Sequence, residues 1–188
     1  MKKISATMLS LLLLISLSSC NWAQRNVKNV TLTDGEQRIA DLTSDITKKF
    51  SFPKDNCSIK IYLYRSGELE VIGHAGVADN WTVIVSGRQD GPVSFAWNIL
   101  SGNSRVQYQA IEIDEDTPYI RVMDIGQKSF TMEADKEYAL VYVAYKAGTE
   151  LEASATEAFS HWDTIEDKAE ALSDFSYAYV VTAQLSDS

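Results

Sequence analysis

Residues 59–73 read Ile59-Lys60-Ile61-Tyr62-Leu63-Tyr64-Arg65-Ser66-Gly67-Glu68-Leu69-Glu70-Val71-Ile72-Gly73. Ile59, Ile61 and Leu63 alternate with Lys60, Tyr62 and Tyr64, and after Arg65-Ser66-Gly67 the pair Leu69, Val71 alternates with Glu70, Ile72. Successive side chains of a strand point to opposite faces, so a period of two marks strands with one face in a core. The glycine-containing break makes the whole stretch a β-hairpin.

The same alternation recurs in both directions from this hairpin. Trp81, Val83 and Val85 share one parity, and Val93, Phe95, Trp97 and Ile99 share another after the turn Arg88-Gln89-Asp90-Gly91, whose Asp-Gly pair accepts positive φ. These predict strands over 81–86 and 93–100. Ser101-Gly102-Asn103 turns the chain again. Over 105–113 the phase slips by one, from Val106 and Tyr108 to Ile111 and Ile113, as at a β-bulge. Beyond the polar turn Asp114-Glu115-Asp116-Thr117-Pro118, residues 119–125 and 129–133 are short strands. Residues 138–145 (YALVYVAY) are apolar on both parities and predict a strand covered on both faces. Phe175, Tyr177, Tyr179 and Val181 set a last strand over 175–182, and 27–32 a first one.

One helix is expected over 155–172. Ala155, Ala158, Phe159, Trp162, Ile165, Ala169 and Leu172 step by three and four, Ser154-Ala155-Thr156-Glu157 has capping-box spacing, and Glu157, Asp163, Glu166, Asp167 and Glu170 make a solvated face. Residues 36–52 fit two patterns: Ile39, Leu42, Ile46 and Phe50 suit a helix, and Ile46, Lys48, Phe50 and Phe52 suit a strand, which is favoured for 46–52. Many short strands with turn signals give a mainly β fold. The expectation is an antiparallel sandwich, alternatively a barrel, with one amphipathic helix inserted before the last strand.

The chain of 188 residues carries a formal charge of −9. Lys2 and Lys3 precede an apolar run of ten residues, 8–17 (MLSLLLLISL), which is too short to span a bilayer and has the length of a signal peptide's core. Leu17-Ser18-Ser19-Cys20 follows. This leader resembles the lipobox of bacterial lipoproteins: an aliphatic residue, two small residues that admit the peptidase, then Cys. The resemblance implies cleavage before Cys20 and lipidation of its thiol, with residues 1–19 as signal peptide, 20–26 as a short lipid-anchored tether and 27–188 as one β-rich domain. Asn21 after the cysteine matches the enterobacterial pattern for the outer membrane, with the domain facing the periplasm.

Losing the leader takes two lysines away and moves the charge from −9 to −11. So acidic a surface repels phosphate backbones, which excludes nucleic acid as a partner and favours a basic one where charge selects. With Cys20 acylated, Cys57 has no intrachain partner and is expected as a quiet, partly buried thiol ahead of a strand.

Chemical motifs are sparse. The two histidines are His74, in the small-residue stretch Gly73-His74-Ala75-Gly76 read as a loop, and His161, on the polar side of the helix. A Cys57–His74 nucleophile–base pair is conceivable and outweighed by a surface histidine. One thiol and two lone histidines do not make a transition-metal set, and Asp114, Glu115 and Asp116 lack the glycine and distal glutamate of an EF-hand. No phosphate-binding or dinucleotide loop occurs. Tyr62 and Tyr64 share one face and Phe175, Tyr177 and Tyr179 another, either as an exposed binding patch or as core beneath the helix. Cys20, as the lipidation site, is the single site residue assigned; no catalytic, cofactor-binding or metal-binding residue is.

The expected function is therefore that of a membrane-anchored envelope lipoprotein acting as a non-enzymatic protein-binding module, of the immunity, inhibitor or secretion-scaffold kind. Its partner would be an envelope or secreted protein, and no cofactor is expected. The alternative is a small-ligand carrier. Length, strand number and the late helix resemble the lipocalins in outline, although residues 27–32 stand where their Gly-x-Trp signature would be.

Overall fold

The structure is a computed structural model that describes residues 25–53, 56–65, 67–77, 81–89, 95–102, 104–108, 119–125, 129–134, 136–148 and 165–185. Their elements run β1 (Asn26–Val30), α1 (Asp34–Thr43), β2 (Ile46–Ser51), β3 (Cys57–Arg65), β4 (Glu68–Gly76), β5 (Thr82–Gln89) and β6 (Phe95–Ser101). There follow β7 (Ser104–Tyr108), β8 (Tyr119–Ile125), β9 (Ser129–Thr131), β10 (Glu137–Ala147), α2 (Ile165–Ala171) and β11 (Tyr177–Leu185). One sheet has the order β7-β6-β5-β2-β1-β9 and the other β4-β3-β11-β10-β8, with every pairing antiparallel. The architecture is a β-sandwich of two sheets and not a closed barrel, so the barrel alternative falls.

The main core lies between the sheets. Val83, Val85, Trp97, Ile99 and Phe50 of the six-stranded sheet face Ile59, Ile61, Val141, Val143, Tyr145, Tyr179 and Val181 of the five-stranded one. A second, smaller core lies outside the five-stranded sheet, where Tyr62, Tyr64, Tyr142 and Val180 meet Leu172 and Phe175 around α2. β10 therefore buries both faces, as its apolar run predicts. Alternation sends its parities to the two cores, and a register shift between Ala139 and Val141 places both Leu140 and Val141 in the main one.

The β3–β4 hairpin forms as expected, with a register shift between Ile61 and Tyr62. Gly102, at φ 59, turns β6 into β7, a conformation that L side chains resist. Gly73 serves a different need: any Cβ there would collide with the Tyr108 ring, whose hydroxyl donates to the His74 carbonyl at 2.6 Å. Those two contacts join the edge strands β4 and β7 of opposite sheets.

The stretch that fitted two patterns contains both structures. Residues 46–51 are strand, as favoured, and 34–43 are helix. Thr33 caps α1 through its side chain, which accepts from the Glu36 N–H at 3.3 Å, while the Glu36 carboxylate accepts from the Thr33 N–H at 2.7 Å. This capping box satisfies two otherwise orphaned donors and starts a helix that the alternation of the following strand obscured. The expected helix over 155–172 appears as α2 in its last part; residues 155–164 lie outside the described residues. So do 109–118, with the second half of the phase-slipped strand and the acidic turn. The last strand starts at Tyr177, two residues later than expected, and continues to Leu185.

Trp97 is fully buried between Gly87 and Tyr108 on the neighbouring strands. Truncation of Trp97 to Ala should lower stability by about 3–5 kcal/mol in a denaturant titration. A loss below about 1 kcal/mol would contradict its place in the core.

Candidate functional site

Cys20, His161 and the Asp114-Glu115-Asp116 turn fall outside the described residues. Cys57 is the first residue of β3, its thiol buried in the main core with Sγ 3.8 Å from Met132 Sδ. His74 lies within β4, where a loop was expected, and is exposed. Register explains why the pair does not form a dyad. Cys57, Ile59 and Ile61 point into the main core, whereas His74 sits opposite Lys60 on the other parity. The hairpin thus brings the two segments together and turns the two side chains apart.

The tyrosines belong to the cores. Tyr62 and Tyr64 pack under α2, while Tyr177 and Tyr179 face the main core and Phe175 stays with the outer one. The expected face shared by Phe175, Tyr177 and Tyr179 is thus split, because Phe175 precedes the strand and escapes its alternation.

Beneath α2 lies a buried polar cluster that is not legible in the sequence. Lys168 is 2% exposed and Glu137 7% exposed, and the Lys168 Nζ donates to Glu137 Oε2. Tyr62 Oη donates to the same carboxylate oxygen at 2.9 Å, and Thr182 Oγ1 donates to Oε1. Lys168 Nζ also stands 4.6 Å from the centre of the Tyr62 ring, and Lys60 Nζ lies 3.7 Å from Glu137 Oε2. Burial opposes the Glu137 charge, but hydrogen bonds from Lys168 and Thr182, together with the Lys168 and Lys60 charges, hold its carboxyl below the ordinary value. Burial pulls Lys168 below its ordinary value, and the bond to Glu137 only partly offsets this. Tyr62 is pushed up, first by burial and then by the Glu137 charge. With its acceptors engaged and almost no solvent access, the cluster works as a clamp that fixes α2 to the sheet.

Concave features among the described residues reach the surface. A cleft of about 430 Å³ opens at the β4/β7 seam, between His74, Gly76 and Val77 on one side and Ile99, Ser101 and Val106 on the other. A second groove, of about 160 Å³, runs between α1 and the outer face of the six-stranded sheet, lined by Leu32, Ile39, Ala40, Ile84 and Leu100. Ala40 is the buried residue of α1, and Ile84 pairs across strands with Leu100. Ile39 is 65% exposed, Leu42 one turn on is 85% exposed and Leu100 is 37% exposed. At the groove's margin Lys49 Nζ meets Glu36 Oε1 at 2.8 Å; that bond, with those from Thr33, holds the Glu36 carboxyl at about 2. Capping-box spacing at Thr33-Asp34-Gly35-Glu36 was the sequence signal for this site.

No protein-family model, curated protein or solved structure matches the chain.

The clamp has a signed pH dependence. Because the folded carboxyl of Glu137 lies below its ordinary 4.5, its contribution is in place above pH 4.5 and is lost as pH falls through the folded value. Stability followed by urea midpoint should therefore drop in acid, and Glu137→Gln should flatten that limb. Lys168→Met, which strands a buried carboxylate, should destabilise by about 3–5 kcal/mol at pH 7, and the double variant by less. Equal losses in the single and double variants would contradict the clamp.

Proposed function

We propose that this chain is a lipid-anchored lipoprotein of the bacterial cell envelope, held at the outer membrane and facing the periplasm, whose sandwich domain binds a protein partner and does no chemistry of its own. The observation that carries this reading is the apolar groove beside α1. Two large aliphatic side chains, Ile39 and Leu100, stand exposed in the lining of a concave strip that also holds Leu32, Ala40 and Ile84. Single exposed apolar residues are ordinary, but a contiguous group rimmed by charge has the make-up of an interface core with a polar rim. Glu36, which lines the groove, and its partner Lys49 supply that charge.

The position of the groove fits an anchored protein. β1 starts at Asn26, six residues after Cys20, and rises about 3.3 Å per residue. α1 follows the far end of β1, about 13 Å from the entry point of the tether along the strand. The groove therefore stands off the bilayer, where an arriving protein can reach it. The acidic domain, at −11 without its leader, favours a basic partner among those that fit.

Two linked measurements test the proposal. Labelling cells with an alkyne fatty acid should mark the wild type and not Cys20→Ala; equal labelling would defeat the anchored reading. Crosslinking in intact cells should then recover a stoichiometric protein with the wild type and at least tenfold less with Ile39→Asp/Leu100→Asp. Both side chains are exposed, so the fold should persist. Undiminished capture by a folded double variant would remove the groove from the interface.

A further inference from the structure

The tether enters the sandwich at an end that has its own character. Register brings Ser51, Thr82 and Ser101 to the level of the start of β1, through the pairs Lys28–Ser51, Ser51–Thr82 and Val83–Ser101. In the five-stranded sheet the matching end holds Cys57, Gly76 and Leu185. The Cys57–Met132 contact and the bond from the Met132 N–H to the Arg25 carbonyl, at 2.9 Å, tie the two sheets together there. Around this end stand Val77, Trp81, Tyr138 and Leu185, all half-buried and all packed against the main core.

Trp81 is unusual in its backbone as well as its place. Among the described residues it is the one non-glycine residue with positive φ, at 48°. A bulky side chain is strained in that region, and such strain tends to persist where the side chain has a use. Its carbonyl accepts from the Phe52 N–H at 2.7 Å, which holds the turn in place. Glycine or asparagine would take this conformation more readily, yet the position holds an indole.

We propose that this end of the domain seats in the headgroup region of the membrane, with Trp81 as its interfacial anchor. The inference rests on the lipidation of Cys20. Four residues lie between Cys20 and Arg25, and the five steps of chain span at most about 18 Å when fully extended. A folded partner does not fit in that gap, since even a 100-residue domain has a radius of gyration of about 13 Å. The bilayer surface does fit. Tryptophan and tyrosine have an apolar body and a polar tip, and they collect at that interface. The seat is interfacial and not electrostatic, because the domain's net negative charge disfavours anionic lipid. It leaves the α1 groove on the side of the domain, opening from the outer face of the six-stranded sheet.

The test uses the full-length acylated protein in phosphatidylcholine vesicles, part of whose lipid is brominated near the headgroup end of the acyl chains. Trp22, two residues from the lipid, is replaced by Phe so that its signal does not intrude. Trp22→Phe should show a bromine-quenched component of its emission that is lost in Trp22→Phe/Trp81→Phe. As a second readout, a nitroxide on Val77→Cys should become more accessible to oxygen than to a water-soluble nickel chelate on reconstitution, whereas one on Leu42→Cys should not. Equal quenching in both Trp variants, or labels at 77 and 42 that respond alike, overturns the seat while a mass spectrum showing acylated Cys20 leaves the anchored reading standing. An unmodified Cys20 overturns both.

Discussion

β10 and β11 carry side chains into two cores at once. Val141, Val143, Tyr145, Tyr179 and Val181 fill the space between the sheets, while Ala139, Tyr142, Ala144, Ala178 and Val180 point the other way. A strand pair that is apolar on both faces cannot leave either face in water without losing about 25 cal/mol per Å² of apolar area. One face is met by the six-stranded sheet. The other needs a cover, and α2 with Leu172 and Phe175 supplies it.

Helix propensity alone does not fix the place of α2, since most helical stability in proteins comes from tertiary packing. The Lys168–Glu137 pair ties it down, and Tyr62 and Thr182 complete the shell around the carboxylate. Such a pair adds little over a well-packed apolar contact, because desolvation offsets the attraction. What it adds is position, since the lysine finds its partners only when the helix sits at one register over β3, β10 and β11. The seam between β4 and β7 is set by a steric condition, the absence of a side chain at Gly73 beneath Tyr108.

Much of the sandwich could be read from one-dimensional pattern. Ile59 to Gly73 alternates as a hairpin must, Trp97 shares its parity with Ile99, and the run 138–145 announces its two-sided burial. Pattern failed where two elements share residues or where partners meet only in space. Ile46 and Phe50 belong to a strand, yet they also extend the helical spacing of Ile39 and Leu42, so α1 was hidden although its capping box was present. Lys168 and Glu137 are 31 positions apart, and a lysine among acidic residues reads as solvated. The groove beside α1 needed both failures resolved, because it exists only where a helix crosses the outer face of β5 and β6. Trp81 carried the right alternation for a strand and gave no hint of its positive φ.

The resulting molecule has directions: a half-buried aromatic rim at the end where β1 starts, an apolar groove set back from it, and a double-faced strand pair holding both in fixed relation. That relation depends on β10 and β11 being the most protected part of the fold. Residue-resolved amide hydrogen exchange measures this directly. Amides of 139–145 and 178–183 should exchange only on global unfolding, and Lys168→Met should speed their exchange before it affects β5 and β6. Exchange along β10 and β11 as fast as in the edge strands β4 and β7 would contradict this.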